Sequence, residues 1–211
     1  HLKICMVAEN IKNIRRQISE VCSRIGRDSK EITLIAVSKT FGSELIREAI
    51  SAGISDIGEN YVQELQRKQQ ELIAEQLRWH FIGHLQRNKV KYIIPWIHCI
   101  HSVDSLKLAE ELSQHSGKQN RTLDILVEVN TSEEETKFGV QPEQTVSLVK
   151  DLQRLNNLNV VGLMTIGKFP ENPEDSRPTF QLMRSLRNDL ERDGIRIPHL
   201  SMGMTNDFHI A

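Results

Sequence analysis

Thr33-Leu34-Ile35-Ala36-Val37-Ser38-Lys39-Thr40 is an apolar, β-branched run that breaks off into three polar residues. It predicts a buried strand over 33–37, with Ser38, Lys39 and Thr40 at its C-terminal end. Before it, Ile11, Ile14, Ile18, Val21, Cys22 and Ile25 recur at intervals of three and four, which predicts an opening helix over about 7–25 that Gly26 ends. After it the alternation continues: helix 43–51, strand 56–58, helix 62–75, strand 79–83, helix 89–94 and strand 100–103. Then come helix 105–113, strand 124–130, helix 142–152, strand 160–166, helix 173–192 and strand 199–202, with a loop over 167–178. Strand-helix alternation builds either an open doubly wound sheet or a closed barrel.

The polar residues favour the barrel. Lys39, Glu59 with Asn60, His84, Asp104, Asn130, Thr165, and Ser201 with Thr205 all fall at or just past strand ends. A barrel collects functional groups from the ends of many strands, whereas an open sheet gathers them at one switch point. The expected fold is therefore an α/β modified TIM (β/α)8 barrel in a single domain over 1–211, with about seven strands where a complete barrel has eight.

Bulk properties narrow the function classes. A chain of 211 residues with 38% hydrophobic and 26% charged content supports one sizeable core. A net charge of -1 provides no long-range field for polyanions, so no nucleic-acid partner is expected. Cys5, Cys22 and Cys99 lack CxxC spacing, which suggests neither zinc nor a disulfide framework and points to a reducing, cytoplasmic compartment. No apolar run approaches the roughly 18 residues of a membrane span, and no membrane partner is expected. Nor does an apolar surface stripe stand out, so a monomer is expected.

Lys39 is the sharpest chemical feature. At a strand end facing a barrel mouth, partial desolvation would favour the neutral amine, a nucleophile for aldehydes. The alternative is an ordinary strand-end lysine, solvated or paired with Glu59. Asn60 could bind a ligand or cap the helix that begins near Val62. His80 and His84 lie four apart, but on a strand, with no acidic or thiol partner in the local run, so no metal site is expected. Ser201-Met202-Gly203-Met204-Thr205-Asn206-Asp207 reads as a strand-to-helix turn, with Thr205 or Asn206 as cap and with N–H groups and hydroxyls suited to a phosphate. The charged stretch 63–75 reads as a solvated face, or else as an interaction surface whose partner a bound cofactor tunes.

These residues lie in LIAVSKT (34–40), DIGENYVQE (56–64), WHFIGHLQRNKVK (79–91), IHSVDS (100–105), VEVNTSEEETKFGV (127–140), GLMTIG (162–167) and HLSMGMTNDF (199–208). In this order and spacing, over nearly the whole chain, they resemble the pyridoxal phosphate homeostasis proteins, the family also described as alanine racemase N-terminal-domain-like or proline synthase co-transcribed. The resemblance implies a barrel that binds pyridoxal 5'-phosphate (PLP), with Lys39 in the position of the lysine that forms the Schiff base. It places Ser201, Gly203 and Thr205 in the phosphate-binding turn, and Asn60, His80 and Met164 on segments lining the cofactor pocket. It implies a role in intracellular vitamin B6 and amino-acid homeostasis as a carrier or regulator without catalytic residues, with PLP-dependent apoenzymes as possible recipients. The rival reading is a PLP-dependent amino-acid racemase, which needs a second base that Tyr61 or Tyr92 would have to supply. The family pattern continues past NDF into a last strand with an Arg-x-Gly stretch that the 211 residues do not contain, so the barrel is expected without its last strand.

Overall fold

A computed structural model describes residues 2–132, 134 and 136–211. Glu133 and Glu135 of the 127–140 motif lie outside the described residues, as does the side chain of Cys5. The chain divides into two compact units, His1–His80 and Phe81–Ala211.

In the first unit, α1 (Leu2–Ile25) buries Ile11 and Cys22 and ends where the Arg27 N–H returns to the Cys22 carbonyl. The first strand, β1, is only Ala36–Val37, shorter than the 33–37 expected, because β2 (Asp56–Glu59) offers register partners just to those two, Ile57 and Gly58. The pairing is parallel, and the Ser38 N–H carries it one step further to the Gly58 carbonyl at 3.1 Å. Between the strands, α2 (Ser43–Ser51) matches its expected bounds and buries Ile46 and Ala49. α3 (Val62–Glu71) buries Val62, Leu65 and Lys68, a three-residue stripe whose third member is charged. β3 (Arg78–Phe81) follows, with the Arg78 N–H on the Ser55 carbonyl.

The second unit carries β4 (Cys99–Val103), α4 (Leu106–Lys118), β5 (Leu123–Glu128), α5 (Pro142–Leu152), β6 (Leu158–Met164), α6 (Arg177–Arg192) and β7 (His199–Ser201). The strands pair in parallel in sequence order from β4 to β7, as strand-helix-strand crossovers require. β4 and β5 are almost wholly buried, the mark of a sheet covered on both faces. Gly162 is needed where β6 meets β7: a Cβ there would stand 2.2 Å from the His199 carbonyl oxygen.

Two expected helices take other forms. The segment read as helix 89–94 is a 3-10 helix, Arg87–Tyr92, since Pro95 leaves too few residues to nucleate an α-helix. The segment read as helix 173–192 begins as a 3-10 turn, Pro173–Ser176, and becomes α-helical only at Arg177, because Pro178 has no N–H for the preceding turn and is tolerated only at a helix start.

The sheet of the second unit is strongly curved. His101 on β4 shares a 2.8 Å hydrogen bond with the Ser201 hydroxyl on β7, although β5 and β6 lie between them. Three strand spacings in a flat sheet span about 14 Å, beyond the reach of two short side chains. Irregular registers between Ile100 and Val103, and between Ile125 and Leu126, supply local bends of the kind that bulges introduce.

Candidate functional site

In the first unit, side-chain alternation sorts the residues past β1 and β2 into two sets. Ser38 and Glu59 turn toward α3: the Ser38 hydroxyl donates to Glu59 Oε1, and Lys68 Nζ donates to the same oxygen at 2.5 Å, to the Ser38 carbonyl at 2.6 Å and to Glu64 Oε1 at 2.7 Å. Lys68 and Glu59 are both fully buried. Lys39 and Asn60 lie two register positions past Val37–Gly58, beyond the ends of both strands, Lys39 in the turn after β1 and Asn60 in the bend after β2. Lys39 is exposed, not desolvated as expected, and the partner it might have had, Glu59, is taken by Lys68. Thr40 follows at a φ of +69°, a strained conformation for a β-branched residue, and its N–H donates to Glu64 Oε1 at 2.9 Å.

Asn60 does not cap α3. The N-cap position belongs to Tyr61, which makes no side-chain capping bond, and Asn60 Oδ1 is buried without a hydrogen-bond partner. A buried orphan acceptor costs stability unless something donates to it, so a ligand donor fits there.

His80 is deeply buried. Its Nε2–H donates to Asp56 Oδ1 at 2.9 Å, and Asp56 stands at the opposite end of β2 from Asn60. Arg78 forks onto both Asp56 oxygens at 2.8 and 2.6 Å, and the Ser55 hydroxyl adds a bond at 2.8 Å. Burial pushes the Asp56 carboxyl up, but the donors His80, Arg78 and Ser55 outweigh it and hold the group well below the usual carboxylate range. The geometry assigns His80 to this cluster, a structural role the sequence reading did not weigh.

In the second unit, Glu128, Met164 and Ser201 are register partners across β5, β6 and β7, so they form one row on one face. Met164 is buried against Cys99, Leu126 and Val161, in the concave interior that His101 and Ser201 close over. Burial drives the Cys99 thiol pKa upward, which leaves it a packing residue. Burial, reinforced by the nearby Asp104 charge, lifts Glu128 to about 7. The 201–207 segment turns as expected at Gly203, whose φ is +89° and whose added Cβ would meet Phe208 Cα at 3.0 Å. No regular helix follows it, however: 205–210 are successive turns. The cap is Asp207, not Thr205 or Asn206; it accepts from the Met204 N–H at 2.7 Å and from the Ser176 hydroxyl at 2.7 Å. Thr205 is exposed and Ser201 half-buried.

The sequence reading missed Lys68, Glu64, Glu128 and His101. One signal was present for Lys68: it occupies the apolar stripe of α3 between Leu65 and Leu72. Glu64 had one too, since it stands four residues before Lys68 on the same helix, an ion-pair spacing; for Glu128 and His101 the printed partners lie on other elements.

Parallel strands alternating with helices define the class: residues 10–211 match the family model of the alanine racemase N-terminal domain, a fold of the modified TIM-barrel kind. The chain is 44% identical over 204 residues to the pyridoxal phosphate homeostasis protein of Aquifex aeolicus, covering 96% of this chain and 90% of that one. Among solved structures, a protein from Bifidobacterium adolescentis superposes with a TM-score of 0.93 at 30% identity, covering 100% of this chain and 90% of that one. PipY of Synechococcus elongatus PCC7942 with PLP bound gives a TM-score of 0.80 at 31% identity, covering 92% of each chain. This chain belongs to the family of pyridoxal phosphate homeostasis proteins.

Proposed function

We propose that the protein binds pyridoxal 5'-phosphate covalently through Lys39 and serves intracellular vitamin B6 and amino-acid homeostasis as a carrier or regulator without catalytic turnover. The observation that carries this reading is an exposed amine, Lys39, and a buried acceptor, Asn60 Oδ1, that has no partner among the described residues, each just past the end of one of two paired parallel strands. When bound, the group supplies an aldehyde that condenses with a primary amine, C=O becoming C=N with release of one water, and a phosphate anion that needs donors.

Lys39 Nζ is the amine in this reading, and it must shed its proton to solvent before it can attack. Asn60 Oδ1 accepts from a donor on the ligand. The hydroxyls of Ser201 and Thr205 and the backbone at Gly203 would hold the phosphate, with the Ser201 hydroxyl also bonded to His101 and the Met204 N–H committed to Asp207. The buried Met164 thioether forms an apolar wall. His80, tied to Asp56, supports its strand instead. PLP-dependent apoenzymes are the proposed recipients.

The test is spectroscopic. Adding PLP to the protein should produce a visible absorption band that Lys39→Ala abolishes, and borohydride reduction followed by peptide mapping should place the label on Lys39. A label on another lysine, or no band, would sink the assignment. Transfer is a separate measurement: labelled cofactor should reach an apoenzyme faster than it dissociates unaided.

A further inference from the structure

Among the described residues no hydrogen bond aims the Lys39 ammonium, yet the residues on either side of it are held tightly. Ser38 is fixed three ways, by its N–H on Gly58, its carbonyl on Lys68 and its hydroxyl on Glu59. Thr40 is held through its N–H on Glu64 Oε1, the oxygen that also accepts from Lys68 Nζ. Lys68 thus joins both flanks: one ammonium, fully buried, reaches the Ser38 carbonyl before Lys39 and the carboxylate that grips Thr40 after it. A β-branched residue persists at a φ of +69° only where its surroundings over-determine it. The hydrogen bond from Lys68 also keeps Glu64 below its usual carboxylate range, so it accepts as an anion, and bonds to charged groups are the stronger kind.

We propose that Glu59, Lys68 and Glu64 form a clamp across β2, α3 and the β1 turn that sets the direction of Lys39, with Glu64 the positioning residue that locks Thr40. Glu64 touches no reacting atom and acts through the backbone. Without it the turn relaxes toward unstrained backbone angles, and the Lys39 amine samples many orientations beside Asn60 in place of one. The clamp explains why a lysine and a carboxylate, Lys68 and Glu59, are buried behind the exposed lysine, with the partly exposed Glu64 beside them. It rests on the cofactor reading above only for its kinetic readout, since the state of the Thr40 turn can be read without any ligand.

The experiment compares the wild type with Glu64→Ala and Glu64→Gln, because Glu64 is partly exposed on a helix surface and its loss leaves Lys68 paired with Glu59. Amide hydrogen exchange at Thr40 in the ligand-free protein reads the clamp, and the rate constant for PLP attachment to Lys39 reads its effect. Losing one charge-assisted bond corresponds to roughly 10- to 100-fold. Glu64→Ala should speed Thr40 exchange and slow attachment by that factor while the thermal midpoint moves little. Glu64→Gln keeps the acceptor oxygen and should restore both to within about threefold, which a loss of general stability would not do. Unchanged Thr40 exchange in Glu64→Ala overturns the clamp, and faster exchange with unchanged attachment overturns the positioning of Lys39. If the wild type takes up no cofactor while Thr40 exchange responds as expected, the cofactor reading fails and the clamp stands.

Discussion

The strand ends of the two units solve the same problem with opposite chemistry. In the first unit the turn after β1 is held by buried charge, with Lys68 between Glu59 and Glu64 and every bond ionic or ion-assisted. In the second, the turn after β7 is held by backbone geometry at Gly203 and a single capping carboxylate, Asp207, over an interior of Cys99, Leu126 and Met164. The difference follows from what each turn presents. On the proposed function Lys39 must stay reactive and is not aimed by a carboxylate of its own; its neighbours are fixed instead. A turn suited to an anion cannot be surrounded by carboxylates, so glycine supplies the shape.

The comparison breaks most visibly at Lys68. Lys68→Ala leaves Glu59 buried and uncompensated, and should destabilise the fold by about 3–5 kcal/mol in a denaturant titration. A loss under ~1 kcal/mol would mean that buried charge does not hold the first unit.

Glu128 tests the claim that the second unit avoids interior charge. Its folded-state pKa of about 7 lies above the ordinary 4.5, so its contribution to stability is complete below about 4.5 and is lost as pH rises through about 7. Unfolding free energy should therefore fall by roughly 3 kcal/mol between those limits, an upper figure, and Glu128→Gln should flatten the profile. Asp56 in the first unit has the opposite sign: its lowered pKa stabilises above the unfolded value near 3.8 and is lost only in stronger acid. In Asp56→Asn that acid-side loss should shrink. Equal slopes in wild type and variants would sink both assignments.

Gly203→Ala should cost about 1–3 kcal/mol, because the new Cβ meets Phe208 and Ala211 and the φ is unfavourable for any L side chain. It should also weaken phosphate binding, measured by calorimetry with inorganic phosphate. Smallest is Ser105→Ala, which removes the cap on the Leu108 N–H at the start of α4 and should lower the unfolding free energy by about 1 kcal/mol.

Much of this architecture was readable in one dimension. Helices 43–51 and 142–152 matched residue for residue because their apolar periodicity and start signals agree. β1 was overread because Thr33 to Ile35 are β-branched or apolar enough for a strand but find no ladder partner in the short β2. For Asn60 the sequence left a cap or a ligand contact open, and the first turn of α3 begins without it. His80 was read as a pocket residue, and the reading gave no hint of its bond to Asp56, 24 positions earlier.

The sequence alone determined the alternation of strands and helices, the polar residue at each strand's C-terminal end, and the positions of Lys39, Ser201 and Gly203 relative to strand and turn, because these depend on periodicities of two and 3.6 and on local backbone preference. Only the tertiary structure decided which of those polar residues are paired and which stand open. Burial of Lys68, the shared oxygen of Glu64, the orphaned acceptor of Asn60 and the raised pKa of Glu128 all arise between elements far apart in the chain. Desolvation and charge pairing are properties of the folded surroundings, and no local pattern encodes them.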